Sequence, residues 1–280
     1  MTDATALITG SLSGIGLHLA HEFARHDHSL VLVAPVESEL EAVAGELRAK
    51  YGASVKIIPK NLREAEATRE IFDELSGAGI GIDILCNNAG FGVRGKFTEI
   101  PLEEDLEMIN LNIEAVLRLT KAFLPEMLKQ GHGRILNTAS VGGFGPGPLL
   151  ATYHATKAFV LSLSESLATE LAGTAITVTA FCPGPLDTDF FSKLDRMEAR
   201  ASQKTNLMAP EDVAAIAYKA LMAGDRLVIP GEINKTRAFP HRLAAKESKV
   251  KISGDFHPDA QPEGHRREPG EIAAGAEAKP

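Results

Sequence analysis

Apolar runs rich in β-branched residues recur along this chain at 4–10 (ATALITG), 29–34 (SLVLVA), 54–59 (SVKIIP), 82–87 (IDILCN), 134–139 (RILNTA), 176–182 (ITVTAFC) and 226–230 (RLVIP). Their near-continuous hydrophobicity predicts strands covered on both faces. Between them apolar positions fall at helical spacing, as in 39–52 and the long stretch 102–131. Gly52 and Gly131 stand where those helices would end, and Pro125 predicts a kink or break inside the second. Strands alternating with helices in this way predict a parallel sheet with right-handed crossovers and helices on both faces, a doubly wound α/β domain without internal repeats. The pattern fades after residue 236, so a single domain is expected over 1–236. Residues 237–253 read as a surface helix or a partner contact. The Gly-, Pro- and charge-rich 254–280 cannot bury enough apolar surface to offset chain entropy, which predicts a disordered tail.

Composition narrows the partners. With 280 residues and 44% apolar content the chain can build a sizeable core. A net charge of −8 argues against a nucleic-acid backbone or an anionic membrane surface as the main partner. No stretch approaches the roughly 18 apolar residues of a membrane span. The N-terminal run has no basic flank, is too short for a signal peptide and reads as a strand, so a cytoplasmic protein is expected. Cys86 and Cys182, the only cysteines, read as buried reduced thiols. No Cys/His cluster has the spacing of a zinc site, and no metal is expected.

Two short stretches carry candidate chemistry. The first strand runs into TGSLSGIG (9–16), with Gly10, Gly14 and Gly16 placed where a strand gives way to a helix beginning near Ile15. Such a turn needs positive backbone torsions and open access for a ligand, which glycine gives cheaply. Free amides at the helix start then favour a pyrophosphate. The strict G-x-G-x-x-G spacing fails, because Leu19 holds the third glycine's place. The second stretch, TYHATKAFV (152–160), sets Tyr153 and Lys157 one helical turn apart. A free phenol has a pKa of about 10, too high for a base at neutral pH, and a neighbouring ammonium favours the phenolate. Each stretch alone also admits a plain structural reading. His154, between the pair, is expected to face outward.

Four further motifs follow in order: NNAG (87–90), Asn112 within NIEAV, Ser140 thirteen residues before Tyr153, and PGPLDT (183–188). With the first two they resemble the pattern of the classical short-chain dehydrogenase/reductase family, over residues 4 to about 230. The resemblance implies a Rossmann-type sheet of seven parallel strands in the order 3-2-1-4-5-6-7, with every motif at its C-terminal edge. That order sets Cys86 and Cys182 two strand spacings apart, roughly 9.5 Å, beyond the reach of a disulfide. It also implies hydride transfer between a nicotinamide nucleotide and a secondary alcohol or its ketone or aldehyde. Tyr153 would be the general acid/base. Lys157 would lower the phenol's pKa and hold the nicotinamide ribose, and Ser140 would bind the substrate oxygen. Asn112 would hold a water completing a proton relay from Lys157, with Asn110 the rival for its place.

By the same resemblance the nucleotide would lie along Thr9, Gly10, Ser13, Gly14, Ile15 and Gly16 at the first turn. Ala34 and Pro35 would meet it after the second strand, and Asn61 and Leu62 after the third. Asn88, Ala89 and Gly90 would follow the fourth strand and Pro183, Gly184 and Thr188 the sixth, with Tyr153 and Lys157 completing the site. Departures from the pattern bear on cofactor choice. Ala34 replaces the acid that marks NAD users, and Pro35 replaces the Arg that many NADP users carry. Ala34 leaves room for a phosphate and carries no repelling charge, so the reading leans to NADP and keeps NAD open. Asn61 stands where relatives usually have Asp beside the adenine, and its amide oxygen can still accept. Residues 187–208 would form a lid holding Thr188, with Phe190 and Phe191 either facing an apolar substrate or anchoring the lid. GFGPGP (143–148) would line the same mouth and be pliable. Homodimers or homotetramers built on helices 102–131 and 152–172 are implied as well. The absence of both usual specificity residues keeps a second reading open, a nucleotide-binding regulatory protein of the same fold with little or no turnover. An epimerase or dehydratase would want an extended substrate domain.

Overall fold

Every apolar run yields a strand: β1 Thr5–Thr9, β2 Ser29–Ala34, β3 Val55–Pro59, β4 Ile84–Asn87, β5 Gly133–Thr138, β6 Ile176–Phe181 and β7 Leu227–Val228. In the computed structural model, which describes residues 4–186, 208–232 and 234–236, all seven pair in parallel in the order β3-β2-β1-β4-β5-β6-β7. The expected lid with Thr188, Phe190 and Phe191, the 237–253 segment and the 254–280 tail lie outside the described residues. β7 is shorter than the run 226–230 suggested. The last ladder bond runs from the Cys182 amide to the Val228 carbonyl, and the next donor along β7 would be Pro230, which has no N–H.

Among the described residues these α-helices flank the sheet: α1 Gly14–Arg25, α2 Glu37–Tyr51, α3 Ala67–Gly77, α4 Leu102–Ile109, α5 Ala115–Gln130, α6 Ala151–Glu170 and α7 Pro210–Ala223. Successive strand residues point to opposite faces, and here both faces are covered. Ala6, Ile8, Leu30 and Leu32 pack with Leu19 and Phe23 of α1, Leu40 and Leu47 of α2 and Leu221 of α7. Leu7, Val31, Val33 and Leu85 pack with Ile71 of α3 and with Leu119, Phe123 and Met127 of α5. Two-sided cover is why the strands read as continuous apolar runs. Gly52 and Gly131 end α2 and α5 in the left-handed conformation, φ +68° and +75°, where a side chain would be strained.

The long helix 102–131 breaks elsewhere than Pro125 suggested. Pro125 lies inside an unbroken α5, on the same exposed side as Lys121, whose carbonyl would otherwise receive the missing N–H bond and can turn to water. The interruption is a π-helical turn, Asn110–Glu114, between α4 and α5. Such turns insert a residue and re-aim a side chain, and this one carries Asn112 inward to 1% exposure. Cys86 and Cys182 are buried and form no disulfide, with β5 between their strands. Burial pushes the Cys86 thiol up, so it is inert at neutral pH. At the N-terminal edge Asp83 accepts from the Thr5 amide at 2.7 Å and pairs with His132 Nε2 at 2.7 Å, which holds that imidazole above its ordinary value.

Candidate active site

The loops after β1, β4 and β5 meet at the C-terminal edge of the sheet. Thr9 joins the first two. Its hydroxyl accepts from the amides of Asn88 and Ala89, both at 2.9 Å, and lies 3.3 Å from the Cys86 carbonyl as a donor. Asn88 answers by donating Nδ2 to the carbonyls of Thr9 (3.0 Å) and Gly10 (3.4 Å), and its Oδ1 accepts from Thr138. Packing here allows no side chains on the glycines. A Cβ at Gly10 would stand 2.8 Å from Ala89 Cα, and one at Gly16 only 2.0 Å from the Gly10 carbonyl oxygen. Gly10 and Gly14 also hold positive φ, +67° and +52°. Ser13, the N-cap of α1, makes no side-chain bond to the helix, so the first amides point outward from a bare helix start. A cradle of this shape fits a dinucleotide pyrophosphate. Ile15 is half-buried behind it, packed on the α1 side of the core.

After β2 and β3 the expected contacts form the floor of the same edge. Ala34 is 4% exposed and its carbonyl accepts from the Lys60 amide at 3.0 Å, while Pro35 is exposed. Asn61 uses Oδ1 to accept from the Arg63 amide at 3.2 Å, and Leu62 is buried on the α3 side. Nearby cations are already engaged: Lys60 pairs with Glu70, and Arg63 pairs with Glu107 and stacks on Phe91 at 4.6 Å. Beyond β6 the Pro183 carbonyl accepts from Val141, and a Cβ on Gly184 would strike Asn234 at 2.2 Å. Thr188 lies outside the described residues.

Asn112, Ser140, Tyr153 and Lys157 come together beside Gly90, where a Cβ would stand 2.9 Å from Asn112 Oδ1 and 3.4 Å from Lys157 Nζ. Each is at most 8% exposed. Ser140 caps a 3₁₀ turn, Val141–Phe144, by accepting from the Gly142 amide at 3.0 Å, and its hydroxyl bonds the Tyr153 phenol. Lys157 Nζ donates to the Thr138 carbonyl at 2.8 Å and lies 5.8 Å from the Tyr153 ring centroid. Asn112 donates Nδ2 to the Phe91 carbonyl (2.9 Å) and to Thr156 Oγ1 (3.1 Å), and its Oδ1 accepts from the Phe91 amide (3.1 Å). Thr156 donates in turn to the Tyr153 carbonyl at 2.7 Å. Asn110 opens the π turn, only partly buried and facing Leu62 and Arg63, away from this group.

Burial governs the electrostatics. It pushes Tyr153 up to about 12, with the Ser140 hydrogen bond working the other way, and pushes Lys157 down to about 8. The spacing predicted that the ammonium would make the phenol more acidic. The two groups do share a side, but Lys157 donates to the Thr138 carbonyl, and the cost of burying a phenolate is the larger effect. Two further differences stand out. The side-chain amide of Asn112 is committed to Phe91 and Thr156, so a water relay there would need its remaining acceptor capacity or its backbone. His154 does not face outward: its Nδ1 lies 2.9 Å from the Gly145 carbonyl and its ring sits against Gly142 and Gly147. Sequence reasoning missed Phe91, Thr138 and Thr156, which position Asn112 and Lys157. Their signal was adjacency alone, Phe91 directly after NNAG and Thr156 directly before Lys157.

Comparison with known proteins bears on the family and the fold. The family model described as short chain dehydrogenase matches residues 4–199. Oxidoreductase UcpA of Salmonella typhimurium is 36% identical over 251 residues, 89% of this chain and 90% of its own length. A short-chain dehydrogenase from Sphingobium yanoikuyae, solved in complex with NADPH, superposes with a TM-score of 0.74 at 31% identity, over 95% of this chain and 99% of the other. The bulky-bulky ketone specific alcohol dehydrogenase from Comamonas testosteroni gives a TM-score of 0.72 at 29% identity, over 95% and 97%.

Proposed function

The chain belongs to the short-chain dehydrogenase family and is an NAD(P)-dependent oxidoreductase of it, and we propose that it interconverts a secondary alcohol with its ketone or aldehyde, using Tyr153 as the acid/base. One observation carries this reading: a buried phenol bonded to Ser140, with Lys157 beneath it, at the same sheet edge as a glycine cradle shaped for a pyrophosphate. Gly10, Ser13–Gly16 and Asn88–Gly90 would hold the nucleotide, whose nicotinamide supplies or accepts the hydride. Everything else falls to the protein. In the reducing direction the phenol, kept neutral by burial, is the form that can hand its proton to the oxygen of the forming alkoxide. Ser140 gives its one hydroxyl proton to the phenol in the free enzyme and can turn it to that oxygen when substrate arrives, because its accepting side stays held by the Gly142 amide. Lys157 favours return of the proton in the oxidising direction by stabilising the phenolate. Asn112 anchors Phe91 and thereby keeps Gly90 against the ammonium.

The nucleotide preferred on this reading is NADP. Ala34 presents neither carboxylate nor bulk at the end of β2, and a relative 31% identical was solved with NADPH. The substrate is read as an apolar ketone, in keeping with the ketone-specific relative. The catalytic domain is taken to run through residue 236. Leu102, Leu106 and Ile109 form an exposed apolar stripe along α4, beside α6 with its exposed Phe159, and a second copy of the chain is the proposed cover, detectable as a dimer by light scattering. The decisive experiment titrates NADPH and NADH by fluorescence, then follows nicotinamide absorbance over a panel of ketones beside Tyr153→Phe. Tight NADPH binding and a turnover that falls roughly 10²–10⁴-fold in the variant are expected. Failure of both nucleotides to bind refutes the reading, and binding without turnover favours the regulatory alternative.

A further inference from the structure

His154 lies between the two residues of the Tyr153–Lys157 pair and has no role in the chemistry above. Its Nδ1 is 2.9 Å from the carbonyl oxygen of Gly145. A carbonyl only accepts, so Nδ1 carries the proton and the bond runs from the ring to the loop. The imidazole also fills the hollow under that loop. A Cβ at Gly142 would stand 3.0 Å from Nε2 and one at Gly147 only 2.3 Å. These glycines serve close approach to the ring, and Gly143 serves close approach to α6, since a Cβ there would meet the Lys157 carbonyl at 2.7 Å.

The far end of the loop is strained. Leu149 holds φ +64°, a left-handed conformation that a bulky side chain rarely adopts and that persists where neighbours over-determine it. Its carbonyl accepts from Gly95 at 2.8 Å, the Leu150 amide donates to Gly147 at 3.0 Å, and the His154 amide donates to Leu150 at 2.9 Å. At the near end Ser140 caps the turn through Gly142. The loop is therefore an arch tied at both ends, from Ser140 to α6, and the His154 ring is its central support.

We propose that His154 is a positioning residue that pins the Val141–Leu150 arch and so fixes the wall against which a carbonyl substrate is held over Tyr153. The proposal rests on the catalytic reading of Tyr153 and Ser140. The arch stands apart from the Gly10–Gly16 turn, and its bond toward the nucleotide residues, Val141 to Pro183 at 3.0 Å, lies at the Ser140 end away from the His154 ring, so loosening its centre acts on substrate binding and leaves nucleotide affinity alone.

The test uses the full chain and three forms: wild type, His154→Ala, and His154→Asn, whose amide can donate where Nδ1 does. Hydrogen-exchange mass spectrometry follows peptides over 141–150 with and without saturating NADPH, and steady-state kinetics use acetophenone, benzil and cyclohexanone as probe ketones. In His154→Ala the arch is expected to exchange about tenfold faster and KM to rise about tenfold, with kcat within about twofold and NADPH affinity unchanged. His154→Asn recovers both. Unchanged exchange in His154→Ala, an equal loss in His154→Asn, or a loosened arch with unchanged KM would each overturn the proposal. Should the alanine variant not fold, His154→Phe fills the hollow without donating and takes its place with the same expectation. If wild type reduces none of the three ketones, the catalytic reading is what fails, and exchange alone decides whether His154 pins the arch.

Discussion

Thr9→Val is the sharpest probe of how the nucleotide cradle is held. Valine matches threonine in shape, so no cavity opens and the change is confined to one oxygen. That oxygen receives two backbone amides, Asn88 and Ala89, each at 2.9 Å, from a side chain 1% exposed. An amide left without a partner in the interior costs about 1–3 kcal/mol, and both here lie in partly buried residues, so the lower half of that range applies to each. The sum is about 2–4 kcal/mol, a loss of roughly 4–16 °C in Tm for a domain of this size. Urea unfolding followed by circular dichroism reads the stability, and NADPH titration reads the cradle. Thr9→Ser keeps the oxygen and should lose less than about 1 kcal/mol, the worth of a methyl. A valine variant within about 0.5 kcal/mol of wild type, or a serine variant as damaged as the valine, would refute the argument.

Other outcomes follow from the same geometry. Gly16→Ala drives a Cβ to 2.0 Å from the Gly10 carbonyl oxygen, so it should cost about 2–3 kcal/mol in urea and weaken NADPH about 100-fold, whereas Gly45→Ala, with nothing within 4 Å, should gain about 0.5–1 kcal/mol. His132 is raised above 6.5 by Asp83, so its contribution is fully present below that value and lost as pH rises through the folded pKa; the gap in Tm between wild type and His132→Asn should be widest near pH 5.5 and close by alkaline pH. Lys157 runs the other way. Burial holds it near 8 against 10.5, so between those values the unfolded chain binds the extra proton and stability rises with pH, a rise that Lys157→Met should flatten in urea midpoints taken at pH 8 and 10. Above about 10 the raised Tyr153 pKa reverses the slope, because the unfolded phenol ionises first.

What could be read from residues alone was whatever depends on neighbours in sequence or on summed hydrophobicity. The strands were legible because two-sided burial leaves an unbroken apolar run, and the α2 and α5 ends because glycine takes positive φ. The glycine turn and the Tyr153–Lys157 spacing were legible for the same local reason. What failed depended on distant partners. Pro125 looked like the breakpoint of the long helix, yet the turn at Asn112 is fixed by Phe91, twenty-one residues away. His154 looked like a surface residue until the glycines of the preceding loop closed over it. The phenol's acidity was misjudged because burial belongs to the folded whole, and an i, i+4 spacing says nothing of how much water remains.

The first sixteen residues contain the whole glycine motif, but Gly10 and Gly16 take their places against Asn88 and Ala89, and Thr9 is separated from Asn88 by 79 positions. During synthesis on the ribosome the motif is thus complete long before it can bind anything. Only when β4 has left the exit tunnel and docked beside β1 does the nascent chain acquire a pocket for the coenzyme. Ligand capture can then reward the pairing of two distant segments, not the folding of one.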